Sequence, residues 1–497
     1  MLLQRYPWGS KFLLAAKLRG TSAKTKVTTV AEPGLSRNPA ETTQSEELHG
    51  RKKIAIIGTG ISGLSAAWLL NSHHDVTVYE QHDYVGGHSN TAEIQVDGQT
   101  IAVDTGFIVY NPVNYPNLVA LFKHLDVQTN VSDMSFAASL NDGSLEYSGT
   151  DLRGLFAQPM NLFRPRFLRM LSDLARFYKQ APQLTGKRSL AKIPLGAFLH
   201  EHGYSQAFIY DHLMPMGAAI WSSSVQQMLE FPTLAFLRFF DNHGLVQLNN
   251  RPEWRTVTGG SREYVSRLTA SFSGRIRTEQ PVVSLERKGG VQVLVTAGGS
   301  REKYDHVVLA CHADQALQLL ARPTADEQAV LSNIRYQANT AVLHTDTNLM
   351  PKRKRAWASW NYIGAGESPT EQVLCVTYLM NRLQNIPTTA PIMLTLNPCR
   401  HIAPEKIIRS YEYDHPMFNA AAIQSQPRLW DLQGKQNTWF CGAYFGSGFH
   451  EDGIQAGLAV AEKLGGLKRP WTVESPSARV GLCAEGQPFT DLKIIPA

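Results

Sequence analysis

The stretch from Lys53 to Gly87, KIAIIGTGISGLSAAWLLNSHHDVTVYEQHDYVGG, constrains the fold more than any other part of the chain. Ile54 to Ile57 is a short apolar run, as expected of a strand buried on both faces of a parallel sheet. Gly58, Gly60 and Gly63 follow at G-x-G-x-x-G spacing, with Ser62 inside the same turn, and helical spacing runs from Ile61 to about Leu70. A second apolar strand, Val76 to Tyr79, ends in Glu80. In such a turn the first glycine permits the tight bend, the second lets the backbone approach a pyrophosphate, and the third lets helix and strand pack closely. The helix N-terminus then presents free N–H groups to the phosphates. Glu80 lies 22 positions past Gly58, where a carboxylate accepts hydrogen bonds from a ribose. A 2′-phosphate would be repelled there, so FAD or NAD fits and NADP does not.

A chain of 497 residues is expected to hold two or three packed units. Its net charge of +6 would suggest nucleic acid if it were spread over the body. Six basic residues (Arg5, Lys11, Lys17, Arg19, Lys24, Lys26) and no acid fall within residues 1–31, and the remainder is neutral. A nucleic-acid partner is therefore not expected. Residues 1–50 resemble an organelle transit peptide, which would place the protein in a mitochondrion or another organelle. The alternative is an untargeted extension of a cytoplasmic protein. The five cysteines are far apart in sequence and form no C-x-x-C, so neither a metal site nor a disulfide framework is implied.

Residues 151–245 show helical spacing at Leu162 to Tyr178 and Leu195 to Phe240, and hold ten of the twenty phenylalanines. A helical unit with an aromatic interior is expected, either an apolar substrate chamber or a plain packed core. From Thr256 the pattern returns to the first domain. Gly259-Gly260-Ser261 opens a helix through Leu268, and strands are predicted at Pro281–Leu285, Val291–Thr296 and His306–Ala310, with a hairpin at Gly289-Gly290. Residues 325–430 alternate helix and strand and contain the basic run Lys352 to Arg355 beside Trp357 and Trp360. Such a run is a solvated loop or a peripheral membrane contact. The last element is a glycine-rich loop, Phe440 to Gly448, feeding a helix from His450 to Leu464. Its positive N-terminal end would stabilise a reduced flavin.

The paired glycines Gly86-Gly87-His88 and the turn Asp104-Thr105-Gly106-Phe107 resemble the amine-oxidase-like FAD superfamily. Closer matches at Tyr84 to Thr91, Asp104 to Asn111, Tyr115 to Asn117, Ser132 to Phe136, Trp357 to Asn361, Val376 to Tyr378, Thr395 to Pro398 and Phe440 to Tyr444 narrow the likeness. They resemble FAD oxidoreductases found beside bacterial cyclopropane-fatty-acid synthases and fused in front of the plant enzymes. The resemblance spans about Lys53 to Leu464. It implies an α/β fold: a Rossmann-like, glutathione-reductase-like FAD domain with an interleaved α+β substrate domain. The FAD domain would comprise 51–150, 251–324 and 431–470, and the substrate domain 151–250 and 325–430, leaving 471–497 as a tail.

The same resemblance implies FAD held by Gly58, Gly60, Ser62, Gly63, Glu80, Gly86, Gly87, His88, Thr105, Gly106 and Val283 at one end. Gly442, Asp452, Gly453 and Ile454 would hold the other. His88 replaces the arginine of many amine oxidases, and residues 331–350 contain no lysine where those enzymes place one near the flavin. The expected activity is an oxidase or desaturase taking a hydride from an apolar, fatty-acyl substrate. A SAM-dependent lipid methyltransferase would be a separate partner. The candidate catalysts are His450, Glu451 and Tyr444, with Trp360 as a pocket wall. A non-catalytic flavin-bound accessory and an amine oxidase are the alternatives.

Overall fold

A computed structural model of the protein describes residues 50–221, 223–247, 251–365 and 373–482. The expected transit segment (residues 1–49 of it) and the tail beyond 482, with Cys483, lie outside the described residues. From Arg51 onward the chain forms one unit.

A five-stranded sheet carries the fingerprint, in the order Thr438–Phe440, His306–Leu309, Lys53–Ile57, Asp75–Tyr79, Ile276–Arg277, with every pair parallel. Ile54, Ala55 and Ile56 are fully buried, as a strand covered on both faces requires. The helix Ile61–Leu70 follows at once and packs against the helix His450–Gly465. The two run so close that a Cβ on Gly457 would collide with the carbonyl oxygen of Ser62. The predicted hairpin forms as Val282–Lys288 and Val291–Thr296, turning at Gly289-Gly290, and a strand not predicted, Arg301–Tyr304, extends it to a three-stranded meander.

The second sheet has seven strands, in the order Ile407–Pro416, Tyr336–His344, Met393–Leu396, Val373–Leu379, Trp360–Ala365, Phe136–Leu140, Leu145–Ser148. The helices Pro165–Leu184, Leu195–Glu201, Met214–Trp221 and Thr233–Asn242 share one apolar core with this sheet. Of the ten phenylalanines counted above, six (Phe167, Phe177, Phe198, Phe208, Phe236, Phe240) are at most 1% exposed and fill that core.

The domain boundaries need correction at four places. Phe136–Leu140 and Leu145–Ser148, placed with the FAD domain, belong to the seven-stranded sheet, because Phe136–Leu140 pairs in parallel with Trp360–Ala365. The hairpin Thr91–Val96 with Gln99–Asp104 buries Ala92, Ile94, Ile101 and Val103 in the substrate-side core. Segments 325–334 and 420–432, assigned to the substrate domain, return Val330, Leu331, Leu429 and Trp430 to the FAD-side core. The expected tail is packed as far as residue 482: Trp471 stacks on Trp68 at 5.7 Å, and the Trp430 indole donates to the Val480 carbonyl. That stretch is aperiodic because single anchors hold it. The structure also brings two cysteines together that the sequence separates, Cys375 and Cys399, with sulfurs 2.9 Å apart.

Candidate functional site

At the strand-to-helix turn, Gly58 has φ +107°, and a Cβ there would lie 2.7 Å from the Ala310 carbonyl oxygen. Only glycine fits this bend. Gly63 is the packing glycine, since a Cβ on it would run into the Gly58 carbonyl oxygen. Gly60 faces open space and, with Ser62, lines a cavity of about 870 Å³. Glu80 lines the same cavity; its carboxylate accepts from Thr59 N at 3.1 Å, from the Thr59 hydroxyl and from His82 N at 3.0 Å. Gly87 folds back on this turn, while Gly86 stands behind it, its N–H donating to Thr59 Oγ1 at 3.2 Å. Val283, 51% exposed, sits on the cavity wall beside Gln280 and Pro281.

Further along, Thr105, Gly106 and His88 line the cavity, and Thr105 Oγ1 shares a 2.8 Å hydrogen bond with the Tyr413 hydroxyl. The His88 ring lies 5.0 Å from Tyr413 and 5.5 Å from His415. Burial holds His88 well below the ordinary histidine pKa, and the neighbouring histidines add to the effect. At the other end Gly442, Tyr444 and His450 line the wall. His450 stacks on Phe107 at 3.7 Å, its Nε2 lies 2.9 Å from Ser89 Oγ and 3.1 Å from the Tyr264 hydroxyl, and burial pushes its pKa down to about 3. It is a neutral imidazole at physiological pH.

Beyond this the cavity is apolar, walled by Met134, Phe136, Met216, Ile220, Leu394 and Leu396 with the indoles of Trp221, Trp254 and Trp360. Phe239 is the single member of the phenylalanine cluster on the wall, so the rest serve as packing. Trp360, expected either as a pocket wall or beside the basic run at a membrane surface, points inward and lines the cavity, its ring 4.7 Å from Tyr378.

Several buried polar atoms on the wall find no partner among the described residues: His88 Nε2, the Tyr444 hydroxyl, and the ring nitrogens Trp221 Nε1, His243 Nε2 and Trp360 Nε1. Leaving such groups unpaired costs about 1–3 kcal/mol each, so the wall suits a ligand that brings hydrogen-bonding groups to it. Together with the Gly58 cradle and the ribose-level Glu80, these residues fit FAD.

Besides Gly63 and Gly86, four expected site residues stand behind the wall. Glu451, read as a candidate catalyst, is fully buried away from the cavity. Its carboxylate accepts from Asn117 N at 3.1 Å, Leu118 N at 3.0 Å, Asn117 Nδ2 at 2.8 Å and Gln455 Nε2 at 2.9 Å, tying two helices together. Asp452 accepts from Ser447 N and Phe449 N and meets Arg479 at 3.3 Å, so it shapes the loop instead of touching the ligand space. Gly453 packs on Ile61 and Ser62, and Ile454 is core. Burial raises the pKa of both Glu451 and Asp452. The sequence reading missed His415, Tyr413, Tyr336 and the wall residues Met216 and Ile220. They arrive on separate strands and helices, and no local spacing marks them.

The buried histidines away from the flavin end set the acid limit of the fold. Burial pushes His212 and His344 down to about 4 and His243 to about 3. Because these folded-state values lie below the unfolded one, the unfolded chain binds more protons as pH falls from about 6.5 toward 4. Asp104 opposes them: burial pushes it up to about 6, so its contribution fades as pH rises from about 4 to 6. Burial raises Glu451 and Asp452 in the same sense as Asp104, while the buried His88, His415 and His450 are lowered like the three histidines. The histidines are the larger set, and each of the three removes about 1–2 kcal/mol by pH 5. The melting temperature is expected to fall steadily between pH 7 and pH 5, and a flat or rising profile in that window would contradict this assignment.

Among solved structures, putrescine oxidase bound to putrescine matches with a TM-score of 0.59 at 14% identity, covering 83% of this chain and 99% of that one. A conjugated-linoleic-acid-producing fatty acid isomerase from P. acnes matches at 0.56 and 16%, covering 82% and 97%. Cyclohexylamine oxidase from Brevibacterium oxydans matches at 0.57 and 16%, covering 83% and 99%. At these identities the likeness is one of fold. No curated protein matches the chain by sequence. The sequence profile of the flavin-containing amine oxidoreductases matches residues 61–464. The chain therefore belongs to the flavin-containing amine oxidoreductase family, as an FAD-dependent oxidoreductase.

Proposed function

We propose that this oxidoreductase takes a hydride from an apolar, fatty-acyl lipid. The composition of the cavity wall carries the reading. Among the described residues it includes no lysine and no arginine, and its carboxylates are Glu80, Glu412 and Asp414. Glu80 is engaged by Thr59 and His82. Glu412 is exposed and accepts from Thr340, and Asp414, 45% exposed, faces His312 at 3.9 Å. A protonated amine in the apolar chamber would thus be buried without a close counter-charge, which is costly. An acyl chain there gains about 0.8 kcal/mol per buried CH₂. The same fold serves a fatty acid isomerase and amine oxidases, so the fold leaves both open and the apolar wall is what supports the acyl reading.

When bound, FAD supplies the hydride acceptor. The Gly58 turn and Glu80 would hold its phosphate and ribose, and His88 and Tyr444 have free polar atoms for its polar edges. His450 keeps Phe107 in place through its stack and its bonds to Ser89 and Tyr264, while the indoles and Met134 exclude water from the chamber. The resemblance to proteins encoded beside cyclopropane-fatty-acid synthases supports a SAM-dependent lipid methyltransferase as partner. Delivery to an organelle rests on the basic segment 1–31 alone.

The aromatic walls also favour a second reading, since Trp221, Trp254 and Trp360 can attract a cation through their ring faces. Anaerobic mixing of the flavoprotein with detergent-dispersed phosphatidylglycerol, putrescine and cyclohexylamine separates the two. Bleaching of the flavin by the lipid alone is expected. Bleaching by an amine and not the lipid overturns the proposal, and no bleaching by any of them favours the non-catalytic accessory.

A further inference from the structure

Every exposed leucine, methionine and phenylalanine singled out among the described residues falls in one stretch: Leu152 (74% exposed), Met160 (62%), Leu162 (48%), Phe163 (76%) and Leu168 (45%). The stretch is a run of short turns, Leu152–Leu155 and Pro159–Phe163, leading into the helix Pro165–Leu184. Leu152–Leu155 packs beside Lys354–Ala356, so the apolar ridge borders the basic run. That run is anchored from beneath: the fully buried Glu146 accepts from Lys352 N at 2.7 Å, Arg353 N at 3.1 Å and Arg353 Nη1 at 2.9 Å. Arg353 is thereby neutralised, whereas Arg153, Lys352, Lys354 and Arg355 enter no ion pair among the described residues. Glu146 holds the loop so that its remaining charges face outward.

A vestibule of about 400 Å³ opens beside this ridge, with Gly149 and Thr150 on its rim, and shares Met134 and Trp254 with the wall of the main cavity. An apolar ridge, cations without an ion-pair partner among the described residues, and a hollow that shares two wall residues with the apolar chamber thus lie side by side.

We infer that the ridge Leu152–Leu168 and the basic run Lys352–Arg355 form a docking surface for an anionic phospholipid membrane, from which an acyl chain reaches the cavity through the vestibule at Met134 and Trp254. Exposed apolar side chains enter the interfacial layer, and the cations meet the lipid phosphates. Charge selects the occupant: Arg153, Lys352, Lys354 and Arg355 outnumber the exposed acids beside them, Asp151 and Asp142, and Asp142 is already paired with Arg400, so the surface suits an anionic bilayer and disfavours a second copy of itself. The delivery step rests on the lipid reading above, and the docking step does not.

Co-sedimentation of the full-length flavoprotein with vesicles tests the inference. The protein is expected to pellet with an equal mixture of phosphatidylcholine and phosphatidylglycerol, and far less with phosphatidylcholine alone. Leu152→Ser with Phe163→Ser, and separately Lys354→Glu with Arg355→Glu, should each weaken partitioning at least about tenfold with flavin content unchanged. These side chains are exposed, so folding is spared. Wild-type protein left in the supernatant with the anionic vesicles overturns the inference, as does undiminished binding of both pairs, which would assign it to another part of the chain. Loss of a dimer in the Leu152→Ser, Phe163→Ser protein with vesicle binding intact overturns it in favour of self-association. Vesicle binding that depends on both pairs, together with a flavin that no lipid reduces, supports the surface and removes the lipid substrate.

Discussion

Glu80→Arg protein is expected to purify without its yellow colour. The carboxylate sits at the end of the second strand, on the cavity wall, and also fixes Thr59, whose hydroxyl receives the Gly86 N–H. Arginine removes the acceptor for ribose hydroxyls and loosens the turn against which the paired glycines fold. Hydrogen bonds to a charged acceptor are worth about 1.5–3 kcal/mol each. Losing two therefore weakens FAD binding by roughly 10² to 10⁴-fold. Glu80→Gln keeps one carbonyl acceptor and should retain part of the flavin. The ratio of flavin to protein absorbance reports both, and full occupancy in Glu80→Arg would remove Glu80 from the ribose.

The second large effect concerns stability. Glu451→Ala strands four donors, Asn117 N, Asn117 Nδ2, Leu118 N and Gln455 Nε2, in a region closed to water. At about 1–3 kcal/mol per unpaired buried group the loss is about 4 kcal/mol or more, comparable to the whole stability of many domains. Glu451→Gln restores a carbonyl oxygen and should lose clearly less. Denaturant midpoints measure the two. A Glu451→Gln enzyme of unchanged stability whose flavin no longer accepts electrons would reverse the structural assignment and make the residue a catalyst.

The contrast between Glu80 and Glu451 shows what a linear sequence discloses. Glu80 was legible because strand, turn, helix and acid follow one another within a single βαβ unit, where spacing fixes position. The two hairpin strands around Gly289-Gly290, the strand from His306 and the helix after Gly260 were readable for the same reason, whereas Arg301–Tyr304 was not. Glu451 lies next to a residue that does line the cavity, His450, but successive residues on a helix point in different directions. Adjacency to a glycine-rich loop could not separate them. The phenylalanine count left open whether those rings line a chamber or pack a core, because composition does not say which way a ring points. Six of those rings fill the core, while Met134, Ile220, Leu394 and the indoles from distant segments make the wall. The Phe136–Leu140 strand was misassigned because its parallel partner lies more than two hundred residues away.

The close packing of Ile61–Leu70 against His450–Gly465 has a consequence during synthesis. The first helix leaves the ribosome about 390 residues before the helix that covers it. At roughly 5–20 residues per second, that is an interval of roughly 20–80 s in which the face carrying Ile61, Ser62, Ser65 and Leu70 lacks the helix that packs on it. The chain also passes repeatedly between its two cores, so neither can close from the N-terminal half alone. Folding is therefore post-translational for the molecule as a whole, and the nascent chain must be shielded until its last long helix emerges.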